Sequence, residues 1–136
     1  MLNLDMIGRL NDSTKKLVIY GVGTAPDFVP LIDNLQHDIS IIKDSAGIGP
    51  SDQTSFYLKN IPALQFFTGQ HSDYHKPSDD VEKINFDGEK KVLEFVVRFI
   101  EETEKLSKLV FTPTKNSEET KTSFKVTLGI MPDYVF

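Results

Sequence analysis

The chain has 136 residues, 39% of them apolar and 26% charged, and its fifteen basic and twenty acidic side chains leave a net charge of −5. This is enough for one domain with a sizeable core, which buries roughly two-thirds of the unfolded surface. Cysteine is absent, excluding disulfides, thiolate nucleophiles and Cys-type zinc sites together, and no basic block is present to make nucleic acid or an anionic membrane a partner.

No apolar run nears the roughly twenty residues of a membrane span. The chain opens on "MLNLDMIG", where Asp5 interrupts the apolar stretch and no basic region precedes it. That start reads as a buried strand and not as a signal peptide, and its abruptness implies that an upstream part is missing.

Four strands are predicted in chain order: "LNLDMI" (2–7), "KLVIYGVG" (16–23), "DISIIKD" (38–44) and "PALQFFT" (62–68). Each is short, rich in β-branched or aromatic residues and bounded by Gly, Pro, Asn or Asp. Between the second and third, Phe28, Leu31, Ile32 and Leu35 recur at helical spacing behind Pro26. "SDQTSFYLKN" (51–60) predicts a short helix with Ser51 as its N-cap. The longest helix is expected over 87–107, with Val92, Phe95, Val96, Phe99, Ile100 and Leu106 on one face, broadened by Leu93 and Val97 to pack against a sheet.

Alternating strands and helices imply an α/β fold, a three-layer αβα arrangement around a mostly parallel sheet. The expected organisation is a partial α/β domain over 1–110, a polar linker over 111–123, and over 124–136 the start of a further module whose apolar residues alternate as in one strand.

Ligands of α/β sheets gather beyond the carboxyl ends of strands. Asp5 ends the first strand, "GIGPSDQTS" (47–55) follows the third, and "GQHSDYHKPSDD" (69–80) follows the fourth. Imidazole and carboxylate are the usual ligands of a catalytic zinc when no thiolate is available. An Asp within an apolar strand is costly unless paired or metal-bound. The same residues also have plainer readings: a strand-end Asp as a turn former, His71 and His75 as exposed loop residues, "SDQTS" as a capped helix start, and Asp79 or Asp80 as the cap of a single turn. His71–Ser72–Asp73, Glu101–Glu102 and Glu118–Glu119 are decoys placed where they do not face a common site.

"NLDMIGR" (3–9), "GPSDQTSFYLKNIPALQFFTG" (49–69) and "DYHKPSDDVEKIN" (73–85) together resemble the C-terminal half of the co-catalytic zinc aminopeptidases. This is the family of bacterial leucyl aminopeptidases, whose fold glutaminyl cyclases and carboxypeptidase relatives share. The likeness spans roughly residues 1–105, and "SFKVTLGIMPDY" (123–134) resembles the opening strand of a PDZ module. The resemblance implies that Asp5 is a ligand of one zinc and His75 a ligand of the other. Tyr74, Pro77 and Asp79 would shape the loop around His75, and Ser51 and Asp52 would line the site. Many members carry His where this chain has Gln53.

The upstream H-x-D, bridging Asp and Glu–Glu pair of such a site find no counterpart here. The chain therefore reads as a piece of a larger peptidase that cleaves N-terminal residues from peptides. By itself it is expected to be inactive, with zinc bound weakly or not at all. A non-catalytic α/β interaction module and a glutaminyl-cyclase-like acyltransferase are the competing readings. Loss of neighbouring strands would expose a sheet edge, so self-association through that edge or by strand exchange is expected. The compartment is left open, though relatives of this architecture are often exported.

Overall fold

Short apolar runs that cannot satisfy their own backbone groups must pair, and here four of them form one open sheet. The computed structural model describes residues 1–115. Strands β1 (Leu2–Asp5), β2 (Lys16–Tyr20), β3 (Ser40–Asp44) and β4 (Leu64–Phe67) lie in the order β1-β4-β2-β3. Helices α1 (Phe28–Asn34), α2 (Gln53–Tyr57) and α3 (Phe86–Glu104) connect or follow them. No described helix is long and apolar enough to cross a membrane. The module start expected over 124–136, with its PDZ-like segment, lies outside the described residues.

β1 pairs with β4 in parallel, β2 with β3 in parallel, and β4 with β2 antiparallel. The mixed α/β sheet thus matches the expected fold class, with one reversal that alternating elements do not announce. β3 ends at the edge opposite to the one where β1 and β4 end. The expectation that the three polar segments leave from one carboxyl edge is therefore corrected.

β2 and β4 are the inner strands, and Leu17, Val18, Ile19, Leu64 and Phe66 are all buried. Their near-continuous apolar runs reflect cover on both faces. On one face Phe66 meets Phe95 and Phe99 of α3 at ring separations of 6.5 and 6.4 Å, and Phe28 of α1 meets Phe99 at 5.8 Å. Leu2 packs on this same core, whereas its neighbour Asn3 points to the other face and binds Ser51 just ahead of α2. Strand alternation therefore puts α2 on the layer opposite α1 and α3.

α3 begins at Asn85, whose side chain accepts from the Gly88 N–H at 2.9 Å and donates to the Leu10 carbonyl at 2.7 Å. The cap thus fixes the helix to the segment that follows β1. Val92, Phe95, Val96 and Phe99 of α3 are buried as expected, but Leu93, Val97 and Ile100 are 42%, 52% and 39% exposed. The broad apolar face is therefore two stripes: one enters the core, and the other has no cover among the described residues.

The antiparallel seam is locked by one hydroxyl. Thr24, fully buried after β2, donates its one hydroxyl proton to the Gly21 carbonyl at 2.7 Å, with the Ala63 carbonyl within reach at 3.1 Å, and accepts from the Ala63 N–H at 3.0 Å. Gly21 adopts φ +82°, and a Cβ there would lie 2.1 Å from the Ala63 carbonyl oxygen, so only glycine allows the approach. Residues 112–114 dock at the same edge. Thr112 N–H donates to the Thr24 carbonyl at 2.9 Å, and Thr114 exchanges hydrogen bonds with Gly47 and the Tyr57 hydroxyl. The Phe111 ring lies 5.4 Å from that of Tyr57, tilted by 53°. The described start of the expected linker is thus held against the domain.

Thr24→Val keeps the shape and removes the hydroxyl, leaving buried backbone groups unpaired. Stability is expected to fall by about 2 kcal/mol, read as a lower urea midpoint at unchanged slope; an unchanged midpoint would mean that the hydroxyl is not the lock.

Candidate functional site

Asp5 ends β1 opposite Phe67, which ends β4, so the two segments that follow leave the sheet side by side. They are tied at once, because the Thr68 hydroxyl donates to the Met6 carbonyl. Met6 itself takes φ 54°, turning the chain sharply after Asp5. Asp5 and Asn3 share one face of the strand, and Ser51 sits over both. Asn3 Nδ2 donates to Ser51 Oγ at 2.8 Å, and Ser51 Oγ donates to Asp5 Oδ2 at 2.9 Å. One carboxylate oxygen is therefore oriented by a relay, while Oδ1 has no hydrogen bond among the described residues. Ser51 is accordingly no N-cap: its hydroxyl is directed at β1, and α2 starts without a side-chain cap.

The loop after β4 is held by a residue to which sequence reasoning gave no role. Arg9, in the 3-10 turn Ile7–Arg9, donates to Asp73 Oδ2 at 2.9 Å, Asp79 Oδ1 at 3.3 Å and the Lys83 carbonyl at 3.2 Å. It also lies 3.3 Å from His71 Nδ1. Asp73 further accepts from Lys83 Nζ at 2.5 Å and from Ser78 Oγ at 2.8 Å. The Lys83 ammonium above all, then the Ser78 hydroxyl and Arg9, holds the Asp73 carboxyl well below its ordinary value of 3.8. A depressed carboxyl pKa contributes fully above the unfolded value and is lost only as pH falls through the depressed one. The clamp is thus intact across the neutral and mildly acidic range.

Clamped in this way, the loop displays Tyr74 and His75 outwards. Their rings stack at 3.9 Å and 20°, and the His75 backbone is left-handed at φ 55°. His75 is exposed, with no hydrogen bond among the described residues. His71 instead faces inward, 3.7 Å from Asp79, and lines a cavity of about 290 Å³ with Met6, Arg9, Val81 and Ile84. Asp79 and Asp73 serve the clamp. Asp52 is exposed at the start of α2 with no side-chain bond among the described residues.

Gln53 is fully buried, and neither its amide nitrogen nor its amide oxygen has a hydrogen bond among the described residues. Its Nε2 lies so close under Gly49 that a Cβ there would be 2.8 Å away. Each such unpaired group costs about 1–3 kcal/mol.

The structure brings Asp5 together with Ser51, and sets the exit of β1 beside the loop that carries Tyr74 and His75. Among the described residues no three His, Asp or Glu side chains come together in a group that could hold a metal ion. Asp5 and His75 are donors of the right chemistry for zinc, but they do not make a closed ligand set.

Residues 1–100 match the model of a family described as Peptidase family M28. No curated protein matches the chain. Among solved structures, the crystal structure of the Legionella pneumophila LapA aminopeptidase aligns with a TM-score of 0.63 at 21% sequence identity. The match covers 79% of this chain and 31% of that one, so the chain spans about a third of the length of the structure it resembles. At that identity the likeness is one of fold.

Arg9→Met is expected to speed amide exchange across residues 70–84 at least about tenfold, corresponding to about 1.4 kcal/mol of local opening energy. The α3 core amides should not change; equal exchange in the loop would remove Arg9 as its clamp. Gln53→Met should be neutral or stabilising by about 1 kcal/mol, because it removes two unpaired polar groups at similar volume. A large loss in a urea melt would instead show that the amide is satisfied in solution.

Proposed function

The chain belongs to peptidase family M28, and we propose that it is the carboxyl-terminal part of a zinc-dependent aminopeptidase, inactive by itself. In the whole peptidase Asp5 is a ligand of one zinc and His75 a ligand of the other. When bound there, zinc supplies a Lewis acid and a nucleophilic water near neutral pH.

The observation that carries this reading is the parallel pairing of β1 with β4, which starts the Asp5 and His75 segments at one sheet edge. Three further features support it. Ser51 orients one Asp5 oxygen and leaves the other open. Arg9, four residues beyond Asp5, grips Asp73, two residues before His75, so the two segments are mechanically linked. The imidazole of His75 is exposed on a left-handed backbone that non-glycine residues seldom adopt, a strain tolerated where function requires it. The chain's own residues thus orient a carboxylate and present an imidazole. Among the described residues they supply no closed metal cage, so no catalytic step is assigned to them alone.

Calorimetric titration of the 136-residue chain with zinc, alongside a leucyl-anilide hydrolysis assay, checks the proposal. The expected result is no stoichiometric two-zinc binding and no turnover. Tight two-zinc binding or hydrolysis by the pure chain would overturn it. In a longer peptidase that contains this segment, Asp5→Ala and His75→Ala are each expected to lower kcat/KM at least about a thousandfold, roughly 4 kcal/mol.

A further inference from the structure

The segment that carries Ser51, residues 47–57, closes on itself. A Cβ on Gly47 would lie 2.2 Å from Cδ2 of the Tyr57 ring, so the ring rests directly on the glycine. Inside the segment the Thr54 hydroxyl accepts from the Gly49 N–H at 2.8 Å and donates to the Gly49 carbonyl. The Thr54 N–H donates in turn to the Ser51 carbonyl at 3.2 Å. The segment is therefore tied into one piece, with Ser51 just ahead of α2 and Tyr57 as the last residue of that helix.

One residue from far along the chain closes this neck. Thr114 Oγ1 accepts from the Gly47 N–H at 2.9 Å, and the Thr114 N–H donates to the Tyr57 hydroxyl at 2.9 Å. The proton of that hydroxyl faces the Thr114 carbonyl at 3.3 Å. Gly47 is buried, so its N–H is left without an acceptor if the Thr114 hydroxyl is removed. Thr114 is thus bonded to both ends of the segment that holds Ser51 against Asp5.

The seated arrangement is balanced between opposing terms. α2 has five residues, too few to persist by itself, and starts without a side-chain cap. Its seat also buries Gln53 with both amide atoms unpaired among the described residues, a penalty relieved once the segment lifts and water reaches the amide. The strap that opposes this, residues 111–114, is lightly attached. Thr112 and Pro113 are exposed, and Phe111 and Thr114 are only half-buried. Its hold rests chiefly on the Thr114 bonds, the Thr112 N–H on the Thr24 carbonyl at 2.9 Å, and the Phe111–Tyr57 ring contact. A stretch with so few buried apolar contacts belongs to the low end of local stability.

We propose that the strap 111–114 is a conformational control on the site, with Thr114 as its positioning residue. Docked, it closes the 47–57 neck and keeps the Ser51 hydroxyl on Asp5 Oδ2 at 2.9 Å. Undocked, it lets the neck open, Gln53 is hydrated, and Asp5 loses its orienting donor. The chain runs on from the strap to residue 136. A load placed on that stretch therefore reaches Asp5 through Thr114, the 47–57 segment and Ser51. The conformational step concerns the chain's own contacts, and its bearing on zinc rests on the reading of Asp5 as a ligand.

Hydrogen exchange and NMR of the full 136-residue chain, without metal, test the strap. Thr114→Val keeps the shape and removes the acceptor of the Gly47 N–H. Amides across 47–57 are then expected to exchange at least about tenfold faster. The Asn3 side-chain amide, which donates to Ser51, should shift towards the position of a solvent-exposed amide. Thr114→Ser should restore both signals, and rescue by a residue that lacks the methyl group separates the hydrogen bond from packing. Gly47→Ala, which displaces the Tyr57 ring, should release the segment in the same way, with the core amides of α3 unchanged in every variant. Unchanged exchange over 47–57, or faster exchange confined to 111–115 with the Asn3 signal fixed, would overturn the inference. Should Gly47→Ala unfold the chain, the Thr114 pair decides. No metal enters the measurement, so two-zinc binding by the chain would count against the hydrolytic reading and leave this result standing.

Discussion

The architecture depends on β4 being held on both sides at once. Its four residues pair in parallel with β1, the last three of them also pair antiparallel with β2, and Leu64 and Phe66 are fully buried. Everything at the candidate site hangs from this strand. Its parallel side sets Asp5 level with Phe67, and its exit launches the loop that carries His75. Its antiparallel side needs Ala63 to come up close against Gly21, which requires a glycine in the left-handed region and the buried Thr24 hydroxyl to satisfy the backbone. Polar precision in a few places thus fixes the apolar bulk, and Phe66 then finds Phe95 and Phe99 across the layer.

Two pieces of chemistry position the site residues, and they differ in kind. On β1 a neutral relay runs from Asn3 through Ser51 to Asp5, stitching α2 to the strand. On the loop the device is ionic: Arg9 and Lys83 share Asp73, while Arg9 also reaches Asp79. Surface ion pairs contribute little singly, but Asp73 and Arg9 are both largely shielded and several bonds converge on them. The network therefore acts as a clamp and not as a scatter of pairs. Its effect is to exempt Tyr74 and His75 from holding the loop, so that both rings can face outwards.

Much of the fold was legible in the sequence. All four strands fall within the runs that β-branched and aromatic residues predict, and α3 starts one residue before the expected 87–107 and ends three residues short of it, leaving Leu106 outside the helix. Periodicity is blind to direction, however. A strand reads the same forwards and backwards, so the reversal between β4 and β2 had no signature in "PALQFFT". Periodicity also cannot say what covers a face, and Leu93, Val97 and Ile100 were grouped with the core although they form a separate stripe. Of the site residues, Asp5 announced itself as a charge in an apolar strand. Ser51 looked like a helix cap, since its actual partners lie 46 and 48 residues away. Arg9 was quoted inside "NLDMIGR" without a role for the same reason, its carboxylates being 64 and 70 residues distant. Local pattern finds residues whose partners are local, and long-range pairs appear only once the sheet has brought them together.

The same reasoning joins the site to the outer edge of β1. Asp5 lies on the strand whose outer edge has no partner among the described residues, so whatever extends the sheet beyond β1 also comes alongside the open carboxylate oxygen. A peptidase that completes its metal ligands from further strands must approach from this side, because β4 already occupies the other side of β1.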